Sequence, residues 1–231
     1  IKFIFYILTF CTFVFGVNLE NSLTCINKGL NSLKDPYSRD KELIFMPIYD
    51  ILQFYGIRGA RVGAADYQCN IKDKKIVCDV KNFFVGDEIF ILAYTENLRI
   101  IYSNFKEDFG KINVYAKDIQ IGNILKNTLN KHQKNNNFIK LALQKYSLNY
   151  EGKIQGAKFN SQLNIVSKDL EFNANLNNIS QKEFENIFKY VKECGFGIFI
   201  SSTFEILKKY KKELHCKSQI CREIEKDFYF M

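Results

Sequence analysis

Between Tyr67 and Val80 apolar and polar residues alternate on both sides of a charged tetrad, with Tyr67, Cys69 and Ile71 leading in and Ile76, Cys78 and Val80 leading out. A period of two predicts a half-buried strand pair, here a β-hairpin. If Asp73 and Lys74 form a two-residue turn, Lys72 faces Lys75, Ile71 faces Ile76 and Cys69 faces Cys78. The cysteine pair then falls on a non-hydrogen-bonded position, where opposing Cα atoms lie about 4.5 Å apart, close enough for a disulfide. Asp-Lys is a weaker turn sequence than Asn-Gly or Asp-Gly, and a longer loop centred on the same point would keep the register. Two reduced cysteines packed as small apolar side chains are the competing reading.

The same alternation recurs in two regions and gives way to helical spacing around them. From Ser22 to Leu33, Leu23, Ile26, Leu30 and Leu33 recur at three and four, the mark of a short amphipathic helix. Pro47 suits the first turn of a second helix, which Gly56 closes. Strand patterning then runs to Ala116, and Asp118 to Leu129 returns to helical spacing before a polar break and a further helix around Phe138 to Tyr146. Leu163 and Ile165, then Leu170, Phe172, Ala174 and Leu176, share one face of a second sheet-forming stretch, with Asn, Gln, Glu and Lys on the other. That is the pattern of an antiparallel meander packed on one side and wet on the other.

The C-terminal part reads as helical. Ser180 with Glu183 forms a capping box ahead of Phe184, Ile187, Phe188 and Val191, and Ser202 with Glu205 repeats it ahead of Phe204, Leu207 and Leu214. Gly195 and Gly197 would end or bend the first of these helices. The predicted organisation is a signal segment over 1–16, an N-terminal helical segment over 17–56 and an antiparallel sheet with its hairpin over 57–117. A helical pair over 118–146, a β-meander over 147–179 and C-terminal helices over 180–231 complete it. The fold class is α+β: antiparallel sheets with flanking helices and a helical C-terminal segment, stabilised by disulfides.

A stable disulfide needs an oxidising compartment, and the N-terminus agrees with one. Lys2 precedes an apolar run from Phe3 to Phe15, interrupted only by Thr9 and Thr12 and followed by Gly16, which resembles a secretory signal. A retained membrane anchor is the alternative. Removing the signal removes Cys11 and leaves Cys25, Cys69, Cys78, Cys194, Cys216 and Cys221, the even number that a disulfide framework requires. Cys216 and Cys221 are too far apart to pair along an unbroken helix, but Ser218 offers a new N-cap between them, leaving Cys25 for Cys194. Zinc competes for these thiols, yet neither C-x-x-C nor H-x(3–5)-H occurs, and no metal or cofactor is expected.

Net charge is +8, from 33 Lys and Arg against 25 Asp and Glu, on a chain rich in Lys and Asn throughout. A lysine-rich background makes a basic protein without any anionic partner, and export argues against nucleic acid. Catalytic chemistry finds little footing. His132 sits in an asparagine-rich connector, and His215 lies near a predicted helix C-terminus, where a cation suits the dipole. No G-x-S-x-G occurs, and Gly56, Gly59 and Gly63 fit no nucleotide-binding loop.

Two features carry functional expectations. Lys208, Lys209, Lys211 and Lys212 form a basic helical end that suits an acidic partner or an anionic membrane surface. One-sided sheets rich in Phe, Tyr, Ile and Leu would line a groove for an amphiphile if the helices left them open. The leading expectation is an exported, non-catalytic envelope protein, periplasmic or at the cell surface, with a binding or accessory role such as amphiphile handling or assembly of a membrane component. An adhesion protein using the basic end comes second, and a hydrolase third.

Overall fold

Asp73 and Lys74 both adopt left-handed backbone, with φ of 49° and 57°, and so form the mirror-image turn that matches strand twist even without glycine. The turn joins β2 (Asp66–Lys72) to β3 (Lys75–Gly86) in the expected register, Cys69 opposite Cys78. These two are bonded, with Cα atoms 4.1 Å apart. The computed structural model describes residues 19–34, 59, 61–87, 90–103, 110–131, 136–155, 158–180, 188–191, 196–199 and 211–228. The proposed signal, the helix at Pro47, His132, Cys194, Lys208 and Lys209 lie outside these residues, and the Cys25 side chain is likewise undescribed.

From the hairpin one antiparallel sheet is built strand by strand. To β3 are added β4 (Ile91–Ser103), β5 (Gly110–Ile121), β6 (Tyr146–Gln155), β7 (Lys158–Val166) and β8 (Leu170–Ser180), with β11 (Lys211–Cys216) beyond β8. β1 (Arg61–Gly63) pairs with the far end of β3, making nine strands in all. The two sheet-forming stretches seen in the sequence are therefore one sheet. β5 pairs directly with β6, Val114 opposite Tyr150, so the helices α2 (Asn123–Asn130) and α3 (Asn137–Ala142) form a connection at the sheet's end and not a divide.

Long strands stay paired because polar residues take the positive-φ positions where the ladder slips. Asp118, φ 53°, lies at the register shift between β5 and β6. Asn178, φ 56°, lies at the shift between β7 and β8, and its N–H donates to Asn160 Oδ1 at 2.8 Å. Asp and Asn tolerate this region better than other non-glycine residues, and each bulge bends its strand.

One face of the sheet carries the core. Helix α1 (Leu19–Asn31), extended by a 3₁₀ turn (Ser32–Lys34), buries Ile26, Leu30 and Leu33 against Ile76, Cys78, Val80, Leu98, Ile100 and Ala116. Each fully buried aliphatic side chain contributes about 1.5–3 kcal/mol. The helix is also pinned by polar contacts. Tyr67 Oη donates to the Asn27 carbonyl at 2.8 Å, the Ala64 N–H donates to the Leu33 carbonyl at 3.2 Å, and Lys34 pairs with Asp66 at 3.2 Å. On the same face, at the β8–β11 end of the sheet, Leu141 of α3, Leu170 and Cys221 of α4 (Gln219–Phe228) form a second cluster, with Phe172, Leu214 and Ile220 against it.

The C-terminal part is only partly helical. Phe188–Val191 (β9) pairs with Phe196–Phe199 (β10), so the helix expected through Phe188 and Val191 is replaced there by strand, and Gly197 lies within β10. Aromatic and β-branched residues on both segments favour this pairing. Lys211–Cys216 is likewise strand, because it completes backbone hydrogen bonds that β8 would otherwise leave open. Helix resumes at Gln219, where the Ser218 hydroxyl accepts from the Cys221 N–H at 3.4 Å. That break brings Cys216 to Cys221, and the two are bonded with Cα atoms 5.3 Å apart.

Candidate functional site

Side chains on a strand alternate between faces, so the residues between those of the core all emerge on the opposite face. There the register lines them into rows. One row runs Gln68, Asp79, Arg99, Tyr115, Asn149, Asn164, Asn173 and Glu213, crossing every strand from β2 to β8 and ending on β11. A parallel row runs Asn70, Val77, Ile101, Asn113, Glu151, Gln162, Asn175 and Lys211. Neighbours within a row are about 4.8 Å apart, and the two rows about 7 Å.

Charges on this face are largely fixed in pairs. Arg99 donates twice to Asp79, from Nε at 2.7 Å and from an Nη at 3.1 Å. Lys111 meets Glu151 at 2.7 Å, and Asn113, only 7 % exposed, donates to the same carboxylate at 3.1 Å. The Lys111 hydrogen bond holds Glu151 below the usual carboxylate range, against the opposing effect of desolvation, with Asn113 adding to it. Glu171 is lowered in the same way by Asn173 and then Asn164, with Lys217 at 3.5 Å. Asn164 also donates to Asn173 at 2.7 Å, an amide ladder across β7 and β8. Among the described residues the side-chain amides of Asn149, Gln162 and Asn175 have no protein partner, and the Tyr115 ring, 38 % exposed, stands beside them.

At the hairpin end of this face lies a third row: Lys72, Lys75, Ser103, Lys111, Lys153 and Asn160. Lys158 lies one position further out on β7, on the same face. Lys72 stands directly opposite Lys75, and Lys111 directly opposite Lys153. Like charges opposed in this way are destabilising, by roughly the 0.2–1 kcal/mol that opposite charges would contribute. Lys111 is compensated by Glu151; Lys72, Lys75 and Lys158 have no ion-pair partner among the described residues.

The lysines singled out from the sequence are arranged differently. Lys211 and Lys212 are consecutive on β11 and so emerge on opposite faces, Lys211 beside Glu213 at 2.8 Å. They form no helical basic stripe. His215 is on strand and not at a helix end, 3.9 Å from Glu213. Among the described cysteines the structure brings together Cys69 with Cys78 and Cys216 with Cys221; Cys78 and Cys221 are fully buried. Both bonds thus belong to the framework. They point to an oxidising, non-cytoplasmic compartment. Among the described residues no helix is long and apolar enough to cross a membrane, and no three His, Cys, Asp or Glu side chains converge as a metal site.

The lysine row and the free amides were missed because each strand alone shows only which residues share a face. Which strands adjoin, and in what register, decides whether those residues meet. No protein-family model matches the chain, and no curated protein matches it.

Proposed function

We propose that the protein is an exported, non-catalytic binding protein of the cell envelope, and that it engages its partner through the polar face of its sheet. The observation that carries this reading is the pair of polar rows that cross from β2 to β11 in register, held by the Asp79–Arg99 and Lys111–Glu151 pairs while the amides of Asn149, Gln162 and Asn175 stay unengaged. Unengaged groups on a rigid surface lose little conformational entropy when they bind, which favours recognition. The disulfides support residence outside the cytoplasm, whether periplasmic or at the surface.

A photo-cross-linking amino acid at Gln162 or Asn175, with a matched control at exposed Lys28 on α1, tests the reading in intact cells. Adducts with an envelope component from the sheet positions and not from Lys28 are expected; absence of adducts from both sheet positions overturns it. Amphiphile handling is a second reading. It draws on Phe90, Ile91 and Ile124, apolar side chains exposed by 39 %, 43 % and 61 %.

A further inference from the structure

We infer that the ligand of the polar face is an acidic polysaccharide whose chain lies across the strands, its anionic groups on the lysine row and its hydroxyls on the amide rows. The inference rests on the binding role proposed above and names the ligand's chemistry. Its first support is the placement of charge. Lys72, Lys75, Lys111 and Lys153 occupy one row with Ser103 and Asn160, and Lys158 flanks it. Six strands at about 4.8 Å make that row about 24 Å long, the reach of several sugar units. Lys72 and Lys75, on adjacent strands about 5 Å apart, lie within the Debye length of about 8 Å, so salt does not remove their repulsion, and a bound polyanion does.

A second support is independent of charge. In the adjoining rows the unpaired amides of Asn149, Gln162 and Asn175 each offer both donors and acceptors, the pairing that hydroxyl groups require. Val77 and Ile101, partly exposed beside the lysines, and the Tyr115 ring give the apolar faces of sugar rings somewhere to rest. Arg99 and Lys211 on the same face are engaged by Asp79 and Glu213, and within the row Lys111 is engaged by Glu151, whereas Lys72, Lys75 and Lys158 have no ion-pair partner among the described residues. Attraction for an anion is therefore strongest at the hairpin end of the face, where Lys72, Lys75 and Lys158 lie. A lipid bilayer fits less well, since it would meet amides and a tyrosine hydroxyl where it needs exposed apolar side chains.

The test uses the disulfide-intact protein with polygalacturonate and dextran sulfate as acidic probes, uncharged dextran as the neutral one, and phosphatidylglycerol vesicles as an anionic surface, all by titration calorimetry at two salt concentrations. Binding to an acidic polysaccharide is expected, weakened about 30-fold by Lys72→Gln, Lys75→Gln and Lys158→Gln combined and more weakly held at high salt. Asn149→Ala with Gln162→Ala should weaken it about 5-fold without changing the salt dependence. The lysine variant should melt at the same or a higher temperature, which separates lost contact from lost fold. Unchanged affinity in that variant, or binding to the vesicles but to neither acidic polymer, overturns the inference. If neither acidic polymer binds while Gln162 and Asn175 still cross-link to envelope material, the acidic ligand is wrong and the binding role stands. If the cross-links fail too, both fall.

Discussion

The two faces of the sheet share every backbone hydrogen bond and yet are stabilised by different means. On the covered face, side chains are held by exclusion of water: Ile76, Cys78 and Val80 are almost wholly buried under α1. On the open face, most residues one position along the same strands stay in contact with solvent, and electrostatics decides what they do. Burial tolerates few substitutions, because protein interiors are close-packed. An exposed face tolerates many, and can therefore hold arrangements that stability alone would remove, such as Lys72 opposite Lys75. The difference teaches where each kind of information is written. Fold is specified on one face, and the other is under no such constraint.

Core substitutions should break the contrast most. Ile76→Ala leaves a cavity beneath α1 and is expected to lower unfolding free energy by about 2–5 kcal/mol, measured by urea denaturation. A loss below about 1 kcal/mol would mean that α1 does not seal that face. Next in size, replacing Cys69 and Cys78 together with serine should cost about 2–3 kcal/mol, since the bond closes a short loop in the unfolded chain, with a sequence separation of 9. Reduction without substitution should lower the melting temperature in the same direction.

The smallest effect belongs to the open face. Glu151 is lowered in the folded state, so its contribution is complete above its unfolded pKa of about 4.3 and is lost as pH falls through the folded value. Because the group is partly exposed, solvent limits the effect to roughly half a kcal/mol. Stability of the wild type should fall more than that of Glu151→Gln between about pH 5 and pH 3, as read by denaturant unfolding. Equal slopes would show that Lys111 and Asn113 do not hold the carboxylate. Burial pushes the Tyr102 hydroxyl up to about 12, so it stays protonated throughout this range and does not contribute to the difference.

What could be read from the sequence was local. Asp73 and Lys74 as the turn, Cys69 opposite Cys78, and the buried stripe Ile26, Leu30 and Leu33 all depend on residues a few positions apart. The helical pair was visible too, though α2 begins at Asn123 because Asp118 to Ile121 continue β5 after its bulge. Ser218 as a helix start followed from the reach of the Cys216–Cys221 pair. The rest needed long-range pairing. That β5 adjoins β6 across α2 and α3 is set by complementarity of two apolar faces and not by any local signal, so one sheet read as two. Lys211–Cys216 reads as helix when extended from its neighbours, yet Lys212, Leu214 and Cys216 also fit a period of two, and only the open edge of β8 decides between them. The candidate surface inherits the same limit, since a row such as Lys72, Lys75, Lys111 and Lys153 exists only once four strands are placed side by side.

The edges of the sheet have a consequence for life in a crowded compartment. An open sheet offers its outermost strands to any passing chain, and β11 is the last of the described strands on its side. Unpaired N–H and C=O groups on an edge strand are a template for further strands, and lysine is among the residues that discourage such growth. Lys211 and Lys212, on opposite faces of that strand, guard it from both sides. On the other side the Cys69–Cys78 bond keeps β2 from peeling away and exposing β3. Two lysines that first suggested attraction to a partner thus have a reason to be present in the absence of one: they keep the molecule from adding to itself.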